Sequence, residues 1–299
     1  MSDVSPAHRR GPALVPSATN SFTSDMGLVS LQVSRDRSLI LAELTDLLRS
    51  PAGAASLGLL ITVVDFVASD PALVSAAPDW TATQDLSLHT VDWLRDGPIV
   101  VDCSAVRVGS RTVVVAADVY DAHGRTDLRA LAASLGEVRD GSGPTPVARG
   151  LVTFARIPRS AAVDADDYTP DRWIGEVRSR PHVPIETSIY DRLGMRTVDA
   201  GAGVLELDLT AFVANQIGTI MGGAQALLVE SAAHAMRPGM VATDMQVHYL
   251  SQVRTGPART RGTVLRDGLG HSVLQIEIVD AGADDRVLAL TTVTMQPVP

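Results

Sequence analysis

The chain carries one plan twice, and this repeat restricts its fold more than any other feature. Residues 85–98 read DLSLHTVDWLRDGP and residues 244–257 read DMQVHYLSQVRTGP. Asp85 and Asp244, His89 and His248, Arg95 and Arg254, Gly97 and Gly256, and Pro98 and Pro257 recur at a constant offset of 159. Upstream the offset is 165: LAELTDLLRS (41–50) lies over ELDLTAFVAN (206–215), and SLGLLITVVDF (56–66) over MGGAQALLVES (221–231). The first copy therefore holds six extra residues between these blocks. The stretch ASDPALVSAAPDW has the turn residues to absorb them. Repetition on this scale predicts two like units packed together.

Each copy reads alike. A strand (about 37–44 and 203–209) leads through a loop to an apolar helix (about 53–68 and 221–236), and three or four alternating strands follow, as in TVVVAADVY and LALTTVTM. The helices AASLGLLITVV and GGAQALLVESAAHAM are apolar nearly all round, so each must be buried. One long helix wrapped by an antiparallel sheet is an α+β arrangement, here in tandem and packed as a pseudo-dimer. The expected boundaries are a loose tail at 1–27, a first domain at 28–158, a linker at 159–182 and a second domain at 183–299. The stretch 128–146, poorly matched in the repeat, reads as an irregular insertion.

The length of 299 residues, 45 % hydrophobic and 20 % charged, suits two domains of ordinary size. No apolar run approaches the roughly 20 residues of a membrane helix. A net charge of −9 argues against nucleic-acid and membrane partners. A phosphate-bearing small ligand needs only a local basic pocket. The lone Cys103 rules out a disulfide within the chain and predicts a cytoplasmic protein; its setting, IVVDCSAV, is that of a buried strand thiol.

The stretch NQIGTIMGGAQALLVESA (215–232) carries the chemistry. It resembles the signature of the hotdog thioesterases of the phenylacetyl-CoA and 4-hydroxybenzoyl-CoA type. That signature has an Asn or Gln, a Gly-Thr, a His-Gly-Gly at a helix start, and an acid eight positions after the first of those glycines. Here these are Asn215, Gly218-Thr219, Gly222-Gly223 and Glu230. The resemblance implies two fused hotdog domains and hydrolysis of acyl-CoA thioesters in lipid metabolism. It implies no metal or organic cofactor, coenzyme A entering as part of the substrate.

Elementary chemistry supports that use of the residues. The backbone N–H of Gly222 opens a helix and can hydrogen-bond a thioester carbonyl as it becomes an oxyanion. Asn215 can add a donor, and an acid two turns along the helix can act as base or nucleophile.

The two copies depart from the signature in complementary ways. Met221 replaces the His. The first copy has Leu57-Gly58 for the Gly-Gly and Ser50 for the Asn, yet keeps an acid, Asp65, at the aligned position. The hydroxyl that orients water in some relatives falls on Thr83, before Asp85; the second copy has Ala242 there, before Asp244. In this family the site lies between two hotdogs, the carbonyl-binding groups coming from one and the acid and hydroxyl from the other. One composite site, joining Asn215 and Gly222 to Asp65 and Thr83, has every part. The other, joining Glu230 and Ala242 to Ser50 and Leu57, lacks most. The expectation is one working site, with Glu230 a relic or the acid of a second.

Met221 and Gly223 flank the expected carbonyl site as substrate-binding candidates. Arg95 and Arg254, with Arg107, Arg111 and Arg266, are candidate cations for the coenzyme phosphates. The paired Asp85/His89 and Asp244/His248 could suggest a metal site or a hydrolase dyad, but interface structure fits them better. The acyl-CoA substrate is the expected small-molecule partner, and a homo-oligomer of fused chains is open. Two rivals stand beside the hydrolase: a hotdog hydratase, for which Met221 takes the natural place of the His, and a non-catalytic acyl-CoA-binding module.

Overall fold

The structure is a computed structural model and describes residues 20–135, 143–158, 169–182 and 184–298. The first copy runs β1 (Val29–Gln32), β2 (Arg37–Ala42), α1 (Leu57–Ala76), β3 (Trp80–Thr90), β4 (Ile99–Val108), β5 (Thr112–Asp121), a short helix α2 (Leu128–Ser134) and β6 (Thr145–Ile157). A strand β7 (Val177–Ser179) and a short helix α3 (Ile189–Leu193) follow. The second copy runs β8 (Arg196–Asp199), β9 (Val204–Leu207), α4 (Gly222–Met236), β10 (Met240–Tyr249), β11 (Ala258–Asp267), β12 (Ser272–Asp280) and β13 (Arg286–Pro297).

The described strands form one antiparallel sheet, ordered β7-β1-β2-β4-β5-β6-β3-β10-β13-β12-β11-β9-β8. The copies join at β3 and β10, with His89 opposite Asp244, Ser87 opposite Gln246 and Asp85 opposite His248. The expected α+β class and tandem plan hold: each copy wraps its long helix with its own half of the sheet. The two helices pack antiparallel against each other. A Cβ on Gly58 would lie 2.9 Å from the Leu227 backbone, and one on Gly223 only 2.3 Å from Thr62 Oγ1. These two contacts exchange under the 165-residue offset, so they are one contact made twice. Both glycines are there because the helices approach too closely for a side chain.

A shift of register breaks β3 between Thr83 and Asp85, and β10 between Ala242 and Asp244. Beyond it Leu86, Leu88, Met245 and Val247 are buried, so Asp85, His89, Asp244 and His248 face away from the helices. Before it the phase is reversed, and Thr83 faces α1. A bulge that re-aims one side chain is a common device beside active sites.

Several boundaries differ from the sequence expectation. Helix α1 does not stop at 68 but runs to Ala76 through Pro71, whose side chain is buried. The extra residues of the first copy thus lengthen the helix rather than the loop. At 20 residues it is long and apolar enough to cross a membrane by length and composition, but it is a core helix here, mostly covered by the sheet. Within the expected tail, Phe22–Met26 form a 3-10 turn, with Phe22 and Met26 fully buried. Apolar side chains at those two positions give the segment a reason to dock. Within the expected linker, β7 pairs with β1. The expected insertion begins with helix α2, capped by Asp127. Residues 1–19 of the tail, 136–142 of the insertion and 159–168 of the linker lie outside the described residues.

Candidate active site

The site is built where the start of α4 meets the middle of α1. An unsubstituted helix start leaves its first N–H groups without intrahelical partners. At α4 no side chain caps them: the cap position is Met221, which offers no side-chain acceptor bond. At α1 they are taken. Ser56 Oγ accepts from Leu59 N at 3.1 Å, and Glu230 accepts from Leu57 N and Gly58 N, each at 3.0 Å. Glu230 is 1 % exposed, so its carboxyl lies inside the protein against those two amides and the start of α1.

Asp65 occupies in α1 the place that Glu230 occupies in α4, and it faces the open helix start. A Cβ added to Gly222 would lie 3.1 Å from Asp65 Oδ2 and 3.0 Å from Tyr249 Oη. The other carboxylate oxygen, Oδ1, accepts a 2.6 Å hydrogen bond from Thr83 Oγ1. Burial pushes the Asp65 carboxyl above the ordinary carboxylate range, and the Thr83 bond pulls it part of the way back. Tyr249 donates to the Gly222 carbonyl at 3.1 Å. Burial, and then the nearby Asp65 carboxylate, hold its phenol well above its ordinary range. Thr83, Asp65, Gly222 and Tyr249 are thus brought together.

The remaining candidates fall elsewhere or act differently. Asn215 uses Oδ1 to accept from Ile217 N (3.1 Å) and Thr219 N (3.2 Å), so it shapes the loop leading into α4. A side chain on Gly223 would meet Thr62, so the lack of one there serves helix packing. Arg95 and Arg254 have exposed side chains, and their recurrence has a structural cause. Asp121 accepts from the amides of Arg95, Asp96 and Gly97, and Asp280 from those of Arg254, Thr255 and Gly256. Gly97 and Gly256 sit at φ 76° and 73° inside these turns, a conformation that favours glycine. A possible metal cluster of Asp96, Asp121 and His123 is part of the first turn, and Asp121 is already saturated by amides.

The Asp/His pairs cross between copies. His89 Nδ1 meets Asp244 Oδ2 and His248 Nδ1 meets Asp85 Oδ1, both at 2.5 Å, on the outer face of the joined strands. They tie the two copies together, as interface structure would. Cys103 is fully buried, and burial pushes its thiol well above its ordinary range.

Tyr249 was not found by sequence reasoning. Its counterpart in the first copy is Thr90, so the repeat gives no emphasis to the position. The same holds for Tyr190 of α3, whose phenol is raised by burial and by Glu230 beside the start of α1.

Two fused hotdog units, sharing one sheet with their helices back to back, define the class of protein. Residues 213–296 match the family model of the acyl-CoA thioesterase N-terminal domain. No curated protein sequence matches the chain. Among solved structures, the chain is similar to the tesB protein of Mycobacterium avium subs paratuberculosis, at 10 % identity over 95 % of this chain and 100 % of that one, with TM-score 0.57. It is similar to a proposed thioesterase II of Thermobifida fusca, at 15 % identity over 93 % and 98 %, TM-score 0.55. It is also similar to a 12:0-ACP thioesterase of Umbellularia californica, at 9 % identity over 87 % and 94 %, TM-score 0.56. At these identities the structures establish the fold: this chain is a double hotdog of the kind seen in thioesterases.

Proposed function

We propose that the chain hydrolyses acyl-CoA thioesters to free acid and coenzyme A at one composite site. The reading rests above all on the facing of Asp65 and the uncapped start of α4, with Gly222 leaving room between them. The thioester carbonyl oxygen accepts from the amide at the start of α4, and the developing oxyanion is stabilised there by N–H groups already oriented and free of competing side chains. Asp65, oriented by Thr83, takes a proton from water as the water adds to the carbonyl carbon. The tetrahedral adduct then expels the coenzyme thiolate, which takes up a proton. Attack by the carboxylate itself, giving an acyl-aspartyl anhydride that water opens, uses the same geometry. Incorporation of labelled water oxygen into Asp65 during turnover separates the two routes.

The second composite site lacks its parts for a physical reason. Glu230 occupies the start of α1, and Ala242 supplies no hydroxyl. Coenzyme A as the carrier is supported by the family match over 213–296. The test is release of free thiol from a panel of acyl-CoA and acyl-carrier-protein thioesters. Turnover of the acyl-CoA members is expected. Tight binding without thiol release would overturn the reading in favour of a binding module.

A further inference from the structure

Tyr249 is the one member of the cluster at the start of α4 to which the hydrolytic step gives no task. It is the last residue of β10 and reaches over the first turn of the helix. Its hydroxyl donates to the Gly222 carbonyl at 3.1 Å. Its ring lies against the same residue: a Cβ added to Gly222 would stand 3.1 Å from Tyr249 Cζ.

Helix α4 begins under conditions that favour fraying. Two consecutive glycines open it, and glycine gives up more backbone freedom on folding than any other residue. Met221, at the cap position, makes no side-chain bond to the turn. A carbonyl oxygen has two lone pairs, so that of Gly222 can take the Tyr249 hydroxyl as well as its helical partner. The peptide unit is planar, and fixing the Gly222 C=O therefore fixes the direction of the Gly223 N–H joined to it. A hydrogen bond at the carbonyl also polarises that N–H and makes it a stronger donor. Tyr249 thus steadies the helix start from its carbonyl side and leaves the N–H side uncapped.

The other copy is built differently. The positions equivalent to Gly222 and Tyr249 are Leu57 and Thr90. Thr90 Oγ1 donates to the Thr243 carbonyl at 2.9 Å rather than to α1, whose start is closed by Glu230. Among the described residues, the bond from strand end to helix start accompanies the open start alone. A direct chemical role suits the phenol poorly. Burial and Asp65 hold it well above its ordinary range, whereas a thiol ionises near about 8.5, so a leaving thiolate is too weak a base to draw its proton.

We propose that Tyr249 is a positioning residue of the thioester site, which through the Gly222 carbonyl aims the first amides of α4 at the developing oxyanion. The inference rests on the thioesterase reading, but its test reads binding as well as turnover.

The experiment compares full-length wild type, Tyr249→Phe and Thr90→Val. Calorimetry measures the binding of two coenzyme A thioethers, S-propyl-CoA and S-trifluoroacetonyl-CoA. The ketone of the second hydrates to a tetrahedral adduct whose oxygen stands for the oxyanion; the first has no oxygen there. Wild type is expected to prefer the trifluoroacetonyl probe. Tyr249→Phe should bind that probe about tenfold more weakly, the worth of one aligned hydrogen bond, and bind the propyl probe unchanged. On a thioester that wild type turns over, kcat should fall about tenfold at unchanged KM. Thr90→Val should alter none of these, and an equal effect in it overturns the proposal. A merely structural role would weaken both probes together or neither; either result overturns the proposal, as does a wild type that lacks the preference or binds neither probe. Should Tyr249→Phe not fold, Tyr249→Met, which also removes the donor, is expected to show the same split. Thiol release by wild type is scored separately: its absence ends the hydrolase reading, while the split between the probes still decides the task of Tyr249.

Discussion

Glu230 Oε2 accepts the Gly58 amide at 3.0 Å, and the carboxylate thereby closes the helix end whose counterpart in the other copy stays open. The corresponding acid of that other copy, Asp65, makes no such bond; it takes the Thr83 hydroxyl and faces Gly222 instead. Two acids at equivalent positions have been given different partners by the residues opposite them.

Replacing these acids should therefore have opposite consequences. Asp65→Asn is expected to lower kcat for thioester hydrolysis by about a hundredfold or more, the usual worth of a general base. Glu230→Gln should keep most turnover but lose about 1–2 kcal/mol of stability in urea unfolding, because one of the two buried oxygens that accept amides becomes an NH2 donor. Equal loss of activity in both variants would sink the single-site assignment.

The pH profile should report Asp65. Burial raises its folded pKa, so kcat/KM should fall as pH drops through a value above the ordinary carboxylate range. Thr83→Val removes the hydrogen bond that lowers this pKa, so the acid limb should move to higher pH. The linked effect on stability has the same origin. A carboxyl with a raised folded pKa favours folding fully only below its unfolded pKa and loses that contribution as pH rises through the folded value. Asp65→Asn should then melt higher than wild type at neutral pH and lose this advantage in acid. An unshifted limb in Thr83→Val would remove Thr83 from the site.

Adjacent glycines should behave differently. Gly222→Ala puts a methyl 3.1 Å from Asp65 Oδ2 and 3.0 Å from Tyr249 Oη, at a place where a helix tolerates Ala well. It is expected to cut kcat/KM at least tenfold with little change in melting temperature. Gly223→Ala meets Thr62 at 2.3 Å, and should destabilise by about 1–3 kcal/mol through overpacking. The paired measurements are thiol release and thermal unfolding.

The turn aspartates offer a control, since their carboxylates are taken up by backbone amides. Asp280 is fully buried and accepts three backbone amides. Asp280→Asn should cost about 2–3 kcal/mol in urea unfolding while folded protein keeps its KM. A large change in KM at full folding would connect this turn to substrate after all.

The sequence made the repeat, the buried helices and the complementary losses at Leu57 and Ala242 legible, because each is a pattern in identity or spacing. Other features depended on contacts between distant residues. Pro71 in ASDP reads as a helix end, but a proline ring buried in a core can be carried inside a helix when packing outweighs the lost bond. Phe22 and Met26 sit in a polar stretch whose composition hides their burial. Tyr249 has no partner in the repeat, and its role exists only because β10 ends beside Gly222. Arg95 and Arg254 looked like ligands because they recur, whereas the turn amides they bring to Asp121 and Asp280 are what recurs. Repetition marks whatever both copies need, which is mostly architecture; the proposed site resides where they differ.

The strand pairing of β7 with β1 has a bearing on that difference. The described part of the segment joining the copies lies against α1, where Arg178 pairs with Asp70 and the Arg180 guanidinium lies over the Phe66 ring. The covalent join thus gives α1 neighbours that owe nothing to the repeat, and restoring every residue of one copy to match the other would leave them in place.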